Sequence, residues 1–230
     1  PPQDVVKAAQ RSGCRSIAYT YTEPTIFFEY AYDTAQLARE ADLANIFVTN
    51  GYMTLDMLET FHPYLDAANV DLKAFRQETY RKYVGADLQP VLDSMKKMKT
   101  LGIWLEVTTL IVPEINDDPA ELRDAARFVA QELGPETPWH LSRFFPAYQM
   151  RDTSPTPKAT LQRAEEIGRE EGLRYIYMGN VSGAANTVCH ECGQLLIQRS
   201  AYGIRTHNVD VEGRCPKCHT PVAGVGMAAG

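Results

Sequence analysis

Two patterns of hydrophobic and polar residues alternate along the first 180 positions of the chain. In one pattern, apolar and β-branched residues run almost continuously over short segments, as in strands that are buried on both faces. The predicted strands cover residues 15–23, 45–50, 67–74, 102–113, 139–145 and 174–180. Their starts lie about 22–37 residues apart, which is the spacing of a strand followed by a helix.

The segments between these strands have helical periodicity. The predicted helices lie within residues 25–41, 91–102, 116–134 and 156–172. Pro24 suits a helix start, and Asp117 or Asp118 is a candidate cap ahead of Pro119. Alternation of strands and helices with short loops predicts an α/β fold with a parallel sheet and right-handed crossovers. The sheet could be open and doubly wound, or it could form a complete or partial barrel.

Composition narrows the class of protein. The 230 residues are 44% hydrophobic and 23% charged, which is ordinary for a globular chain. A net charge of −6 argues against general nucleic-acid binding, which relies on a basic face. Neither a signal peptide nor a membrane span of roughly 18–20 apolar residues is present, so no membrane association is predicted. Five cysteines, four of them in C-x-x-C pairs, predict a reducing compartment, the cytoplasm, and a bound metal.

Polar residues follow the predicted strands at their carboxyl ends, where ligands bind in both barrels and doubly wound sheets. Asp71 and Lys73 are two residues apart and should face the same side, as an ion pair or as a site for the two charged ends of an amino acid. One such residue alone is more often a turn or cap residue. Repetition after five successive strands predicts a ligand site. The strand-end groups are Thr22-Glu23, Thr49-Asn50, Asp71-Lys73, Asn116 to Asp118, Arg143, Tyr148 and Asn180.

Several motifs resemble those of radical S-adenosylmethionine (SAM) enzymes, in the branch of the pyruvate formate-lyase activating enzyme. The chain is most similar to the radical SAM proteins of the AmmeMemoRadiSam system. In order along the chain, the motifs are YTYTEPTIFFEYA, VTNGY, NVDLKAF, YRKYVGA, LEVTTLIVPEINDD, WHLSRFFPAY and YMGN.

That resemblance implies a partial (β/α)6 TIM-like barrel, with five of the six βα units present, in residues 1–183. SAM would bind across the carboxyl ends of the strands beside a [4Fe–4S] cluster. The cluster donates an electron, SAM is cleaved, and the resulting radical abstracts a hydrogen atom from a protein or small-molecule substrate. AMMECR1-like and Memo-like proteins are the partners that the resemblance implies, because their genes accompany those of the family.

The same resemblance assigns SAM contacts residue by residue. Tyr21-Thr22-Glu23-Pro24 occupies the place of a Gly-Gly-Glu-Pro segment that receives the SAM amino group, although Tyr21 and Thr22 replace the two glycines. Thr49-Asn50-Gly51 matches a Thr-Asn-Gly segment of the activating enzymes, and Asp71-Leu72-Lys73 matches their Asp-Leu-Lys segment, which contacts SAM. Tyr148 falls where the family has a histidine. The implied cofactor-binding residues are Thr22, Glu23, Thr49, Asn50, Asp71, Lys73 and Tyr148.

The family's defining motif, C-x3-C-x2-C, holds the cluster through three thiolates and is absent from the 230 residues. Before residue 189 the sequence has one cysteine, Cys14, expected to be a small buried apolar residue. We expect that a cluster-bearing first βα unit precedes Pro1 and is missing here. The alternative is a natural relative without the cluster. Under both readings, the chain as given should not cleave SAM.

The four remaining cysteines form a C-x2-C-x22-C-x2-C pattern in residues 184–230, predicted to be a separate ribbon-like module. Cys189, Cys192, Cys215 and Cys218 suit tetrahedral zinc in a closed structural site. Iron, as a single ion or an auxiliary cluster, is the first alternative, and disulfides or free thiols are the second. A hairpin with strands near residues 194–199 and 203–211 is expected between the two pairs.

Two functions other than SAM cleavage are compatible with the sequence. A non-catalytic scaffold could use the zinc ribbon to recruit a partner while the barrel is a relic. A barrel aldolase or lyase could use Lys73 as a Schiff-base amine. Fold resemblance alone does not choose between them.

Overall fold

The computed structural model describes residues 1–181, 185–200 and 203–228. In these ranges it contains six parallel strands in the order β1-β2-β3-β4-β5-β6, which confirms the predicted α/β partial barrel. A small antiparallel sheet, β7-β8-β9, follows near the C-terminus. The strands are β1 (Ser16–Tyr19), β2 (Ala44–Thr49), β3 (Ala67–Asp71), β4 (Trp104–Ile111), β5 (Trp139–Arg143), β6 (Ile176–Gly179), β7 (Thr187–Val188), β8 (Leu195–Ser200) and β9 (Gly203–His207).

Helices connect the parallel strands, and each predicted helical segment overlaps one. They are α1 (Pro2–Arg11), α2 (Phe28–Glu40), α3 (Leu55–Phe61), α4 (Gln77–Thr79), α5 (Gln89–Thr100), α6 (Pro119–Phe128) and α7 (Lys158–Glu170). Asp118 caps α6, because its side chain accepts hydrogen bonds from the N–H groups of Ala120 and Glu121. None of the helices in the described ranges is both long and apolar enough to cross a membrane.

One predicted helix start is wrong. The helix after β1 begins at Phe28, not directly after Pro24. The Glu23 carbonyl accepts a hydrogen bond from the Ile26 N–H, which makes a turn, and the first bond into the helix runs from Ala31 to the Phe27 carbonyl. The turn keeps Glu23 at the end of the strand and out of the helix.

Residues Pro1–Thr108 form one compact unit and Thr109–Gly230 a second. The expected boundary between residues 183 and 184 therefore stays a prediction. In the first unit, an aromatic cluster of Tyr19, Phe47 and Phe61 fills the core, with ring centroids 4.6–6.2 Å apart. Asn45, fully buried, accepts a hydrogen bond from the Tyr19 hydroxyl at 2.9 Å.

The second unit is built around Trp139, which is fully buried and donates its indole N–H to the Thr109 hydroxyl at 3.0 Å. Gly168 of α7 faces this ring, since a Cβ there would lie 3.2 Å from Trp139 and 2.6 Å from Ile176. A glycine at this position lets the helix pack closely on β5 and β6. The C-terminal sheet belongs to the same unit and adds a second apolar cluster, which includes Tyr175, Leu196, Ile197 and Val209.

Candidate functional site

Glu23 connects the carboxyl ends of β1 and β2. Its side chain is buried, and one carboxylate oxygen accepts a hydrogen bond from the Thr49 hydroxyl at 2.6 Å. The other oxygen accepts the backbone N–H of Asn50 at 2.8 Å. Thr25 adds two longer bonds from its N–H and hydroxyl, at 3.4 and 3.3 Å. These donors satisfy much of what a buried carboxylate requires.

The side chains of Thr49 and Asn50 both hold the turn after β2 through hydrogen bonds to backbone N–H groups. The Thr49 hydroxyl, which donates to Glu23, also accepts the Gly51 N–H at 3.1 Å. The Asn50 side-chain oxygen accepts the Tyr52 N–H at 2.8 Å, in an Asx turn. Gly51 adopts a left-handed backbone with φ of 74°. Glu23, Thr49 and Asn50, chosen from sequence as strand-end residues, therefore belong to one hydrogen-bonded group.

Asp71 and Lys73 lie on the neighbouring strand end. Thr49 and Val70 are register partners, so Asn50 and Asp71 follow at the same end of adjacent strands. Leu72 points the other way, is fully buried, and donates its N–H to the Thr108 carbonyl at 2.9 Å. The side chains of Asp71 and Lys73 form an ion pair and remain 36% and 41% exposed. One of the two arrangements expected from their spacing is therefore present.

The remaining predicted contacts are placed differently. Thr22 is exposed next to Glu23 in the sequence, and no hydrogen bond among the described residues gives it a specific role. Tyr148 belongs to the second unit, where it is 81% exposed and has a positive φ of 48°. Near it in sequence, Arg143 at the end of β5 donates from Nε to the Thr156 carbonyl at 2.7 Å, and its carbonyl accepts the Asn180 amide at 3.1 Å. The assigned SAM contacts stay predictions.

Four thiols converge at the C-terminal module. The Sγ atoms of Cys189, Cys192, Cys215 and Cys218 all lie within 4.8 Å of one another. Cys189 and Cys218 are 3.5 Å apart, and Cys192 and Cys215 are 3.7 Å apart. A disulfide needs about 2.05 Å, so neither pair is bonded. Four ligands at about 2.3 Å from one tetrahedral ion would be roughly 3.8 Å apart, close to the observed spacing.

The compact set fits one ion better than a multi-iron cluster, since thiolates on separate irons stand farther apart. Cys189 and Cys215 are buried, whereas Cys192 and Cys218 are nearer the surface. Hydrogen bonding with the Thr220 side chain and backbone lowers the pKa of the Cys218 thiol to about 6. At Cys192 a bond with the Gln194 backbone acts in the same direction, but burial and the three neighbouring thiols prevail and raise the pKa to about 12. A thiol with a lowered pKa is readily converted to the thiolate that metals bind. The module is thus a four-cysteine metal site.

The residues present do not fit a [4Fe–4S] cluster of the radical SAM kind. The 230 residues contain no C-x3-C-x2-C triplet, and Cys14 is exposed in the loop before β1, so its predicted burial is wrong. The chain leaves the end of α1 through Gly13, and β1 begins at Ser16, two residues after Cys14, which puts Cys14 outside the packed strand. The other four cysteines are committed to the C-terminal set.

A parallel α/β partial barrel with polar groups at successive strand ends defines a class of ligand-binding barrel. The sequence pattern of the Radical SAM superfamily matches residues 2–129, more than half of the chain, and the chain belongs to this superfamily. It is 46% identical over 220 residues to the uncharacterized protein MJ0808 of Methanocaldococcus jannaschii, over 94% of this chain and 65% of the relative.

A second relative is the (2S)-3-sulfopropanediol dehydratase activating enzyme of Klebsiella oxytoca, 22% identical over 125 residues, or 54% of this chain and 39% of that enzyme. The chain thus spans less than two thirds of either relative. A domain of the pyruvate-formate lyase-activating enzyme from Bacteroides vulgatus superposes with a TM-score of 0.61 at 13% identity, over 72% of this chain and 99% of that domain. The structural likeness shows that the fold is shared.

Replacing Thr49 with valine should destabilise the first unit by about 1–3 kcal/mol. Valine keeps the shape of threonine but leaves the Gly51 N–H without its acceptor and Glu23 without its shortest donor. Thr100→Val is the control, because the Thr100 hydroxyl is exposed and donates within its own helix, to the Lys96 carbonyl. Urea unfolding of the three proteins measures the difference, and equal midpoints for both variants would contradict a structural role of the Glu23 group.

Proposed function

We propose that the barrel binds SAM and forms the cofactor-binding part of a radical SAM enzyme that resembles glycyl-radical activating enzymes. Membership of the superfamily supports the cofactor. The observation that carries the assignment to residues is the charged pair of Asp71 and Lys73 beside the Asn50 turn, at the carboxyl ends of adjacent strands. The methionyl part of SAM carries one ammonium and one carboxylate, which complement this pair.

Each residue then has a distinct role. The Asp71 carboxylate would accept a hydrogen bond from the SAM ammonium, and the Lys73 ammonium would donate one to the SAM carboxylate. Each side chain would give up part of the ion pair that it forms with the other. Glu23 already accepts hydrogen bonds from Thr49 and Asn50 and is buried, so we assign it to holding the Asn50 turn. The Asn50 amide edge, Thr22 and Tyr148 are proposed as further contacts.

In an enzyme that also holds the electron-donating cluster, cleavage of SAM would supply the hydrogen-atom abstraction typical of the superfamily, acting on a protein or a small-molecule substrate. The residues of this chain do not provide the three thiolates for the electron-donating cluster. We therefore propose that the 230-residue chain binds SAM without cleaving it. Proteins of the AMMECR1-like and Memo-like kinds remain proposed partners, and membership of the AmmeMemoRadiSam group remains part of the same proposal.

Titration of the chain with SAM in a calorimeter tests this function. The unmodified chain should bind SAM, and Asp71→Ala should weaken binding by about tenfold or more, since a hydrogen bond to a charged group is lost. Asp93→Ala is the matched control. Asp93 lies on α5 and accepts a hydrogen bond from the exposed Gln89 side chain, so the variant makes the same change of charge away from the strand ends.

The same samples test cleavage. After treatment with iron and sulfide and reduction with dithionite under anaerobic conditions, SAM should be recovered intact. Formation of 5′-deoxyadenosine by this chain would contradict the proposed inactivity, and failure of the unmodified chain to bind SAM would contradict the proposed function.

A scaffold role for the metal module is the second candidate. Its support is the four-cysteine set with an apolar cluster that includes Tyr175. Zinc is the proposed ion, since four thiolates at this spacing suit a closed tetrahedral site. A Schiff-base role for Lys73 has less support. Such lysines are usually activated by desolvation or by a neighbouring positive charge, whereas Lys73 is 41% exposed and paired with Asp71.

A further inference from the structure

The chain leaves the sheet at Lys73, and a tyrosine seven residues later holds it there. β3 ends at Asp71, and Leu72 still donates its N–H to the Thr108 carbonyl of the neighbouring strand. The next backbone donor, the Lys73 N–H, bonds to the phenolic oxygen of Tyr80 at 3.2 Å. Both peptide groups around Leu72 are therefore fixed.

The Tyr80 side chain is 1% exposed, so its ring is held rigidly in the core. Burial raises its pKa to about 12; the bond from the Lys73 N–H opposes this shift, and the negative charge of Asp71 adds to it. The phenol is therefore neutral at pH 7 and remains an acceptor for the Lys73 N–H.

The segment that carries Tyr80 is itself held in place by hydrogen bonds. Residues Tyr80–Val84 form a π-helical turn that ends at Gly85, whose N–H bonds to the Tyr80 carbonyl at 2.9 Å. The Gln77 side chain donates to Asp87 at 2.6 Å and accepts the Leu88 N–H at 3.0 Å. Arg81 also donates to Asp87, at 3.0 Å. These bonds connect Gln77 and Arg81, at the start of the segment, to Asp87 and Leu88 just before α5.

We infer that Tyr80 is a positioning residue for the SAM site, which it serves by setting the backbone at Lys73 and so the direction of the Lys73 side chain. The inference rests on the proposed function. Tyr80 is not assigned a contact with SAM. A displacement of the Lys73 backbone would move the Lys73 ammonium relative to the Asp71 carboxylate. A site that binds the ammonium and the carboxylate of one ligand depends on the distance between these two groups.

Tyr80→Phe removes the acceptor and keeps the buried ring. SAM affinity, measured by calorimetry, should fall by about two- to tenfold, the effect of one lost hydrogen bond. Tyr19→Phe is the matched control. It removes another buried phenolic hydroxyl of the same unit, which bonds to Asn45 instead of the strand-end groups. Both variants should lower the melting temperature, but the control should bind SAM like the unmodified chain.

A double-mutant cycle with Lys73→Ala separates positioning from general destabilisation. If Tyr80 acts through Lys73, Tyr80→Phe should cost little additional affinity once the lysine side chain is gone. Hydrogen exchange at the Lys73 amide should also rise in Tyr80→Phe and stay unchanged in Tyr19→Phe. Unchanged affinity in Tyr80→Phe, or an equal loss in both lysine backgrounds, would overturn the inference alone. Absence of SAM binding by the unmodified chain would overturn the proposed function together with it.

Discussion

Cys215→Ser should abolish stoichiometric metal binding and unfold the C-terminal module. Cys215 is fully buried, and its Sγ is 3.7 Å from that of Cys192. Serine remains protonated at neutral pH and cannot replace a thiolate ligand. Structural zinc contributes about 10–16 kcal/mol of apparent binding free energy in small metal-folded peptides, which is as large as the stability of a whole domain.

The size of this effect follows from how little else holds the module together. Its apolar cluster contains two of the ligands, Cys189 and Cys215, beside Leu196, Ile197 and Val209. All five described residues of β9 are exposed, so the sheet itself buries little there. Loss of the ion should therefore separate the cysteine pairs and open the cluster. The bond from the Ala223 N–H to the Tyr175 hydroxyl, 3.1 Å long, should open with it.

Elemental analysis and hydrogen exchange measure the outcome. The unmodified chain should carry about one zinc, and Cys215→Ser well under one, with faster exchange across β7 and β8 and unchanged exchange in β1 to β3. Cys14→Ser is the control, because Cys14 is exposed and lies outside the four-cysteine set. Iron in place of zinc would overturn the choice of ion. A full complement of metal in Cys215→Ser would overturn the ligand assignment.

The strands were predictable from sequence because their pattern is local. Nearly continuous apolar runs identified all six parallel strands, although burial alternates along β2, β3 and β4 and the expected burial on both faces is not found there. The four-cysteine site followed from spacing alone. Helix α3 was not predicted, since seven residues give too few turns for a periodic signal, although Thr54 caps it through a bond from the Met57 N–H at 3.1 Å. The π-helical turn at Tyr80–Val84 lacks the 3.6-residue period that such a prediction uses.

The sequence predicted which residues lie at the strand ends of the site, but it did not predict the hydrogen bonds between them. Parallel topology places Glu23, Asn50 and Asp71 at the same ends of their strands. The bond from Thr49 to Glu23 spans 26 residues and depends on the register between β1 and β2, which sequence does not specify. Tyr80 was part of a recognised motif, but its bond to the Lys73 backbone follows only from the turn that returns it to β3.

Gly51→Ala should destabilise the first unit by about 2–5 kcal/mol, from a strained backbone and from overpacking. Gly51 has a φ of 74°, which an alanine rarely adopts. Its added Cβ would lie 2.6 Å from Cγ1 of Val70 and 3.1 Å from Cγ1 of Val91. Both valines are nearly fully buried, so neither can move aside without displacing the core.

Gly102→Ala separates the two causes. Gly102 has nearly the same backbone, with a φ of 76°, but no atom lies within 4 Å of an added Cβ. This variant should therefore lose only the strain, about 1–2 kcal/mol. Urea unfolding of the two variants compares them directly. Equal losses would mean that Val70 and Val91 yield to the methyl group, and the close packing would then not be what requires glycine after Asn50. A larger loss of unfolding free energy in Gly51→Ala, together with weaker SAM binding, would show that the packing of Val70 and Val91 against Gly51 also sets the position of the Asn50 turn.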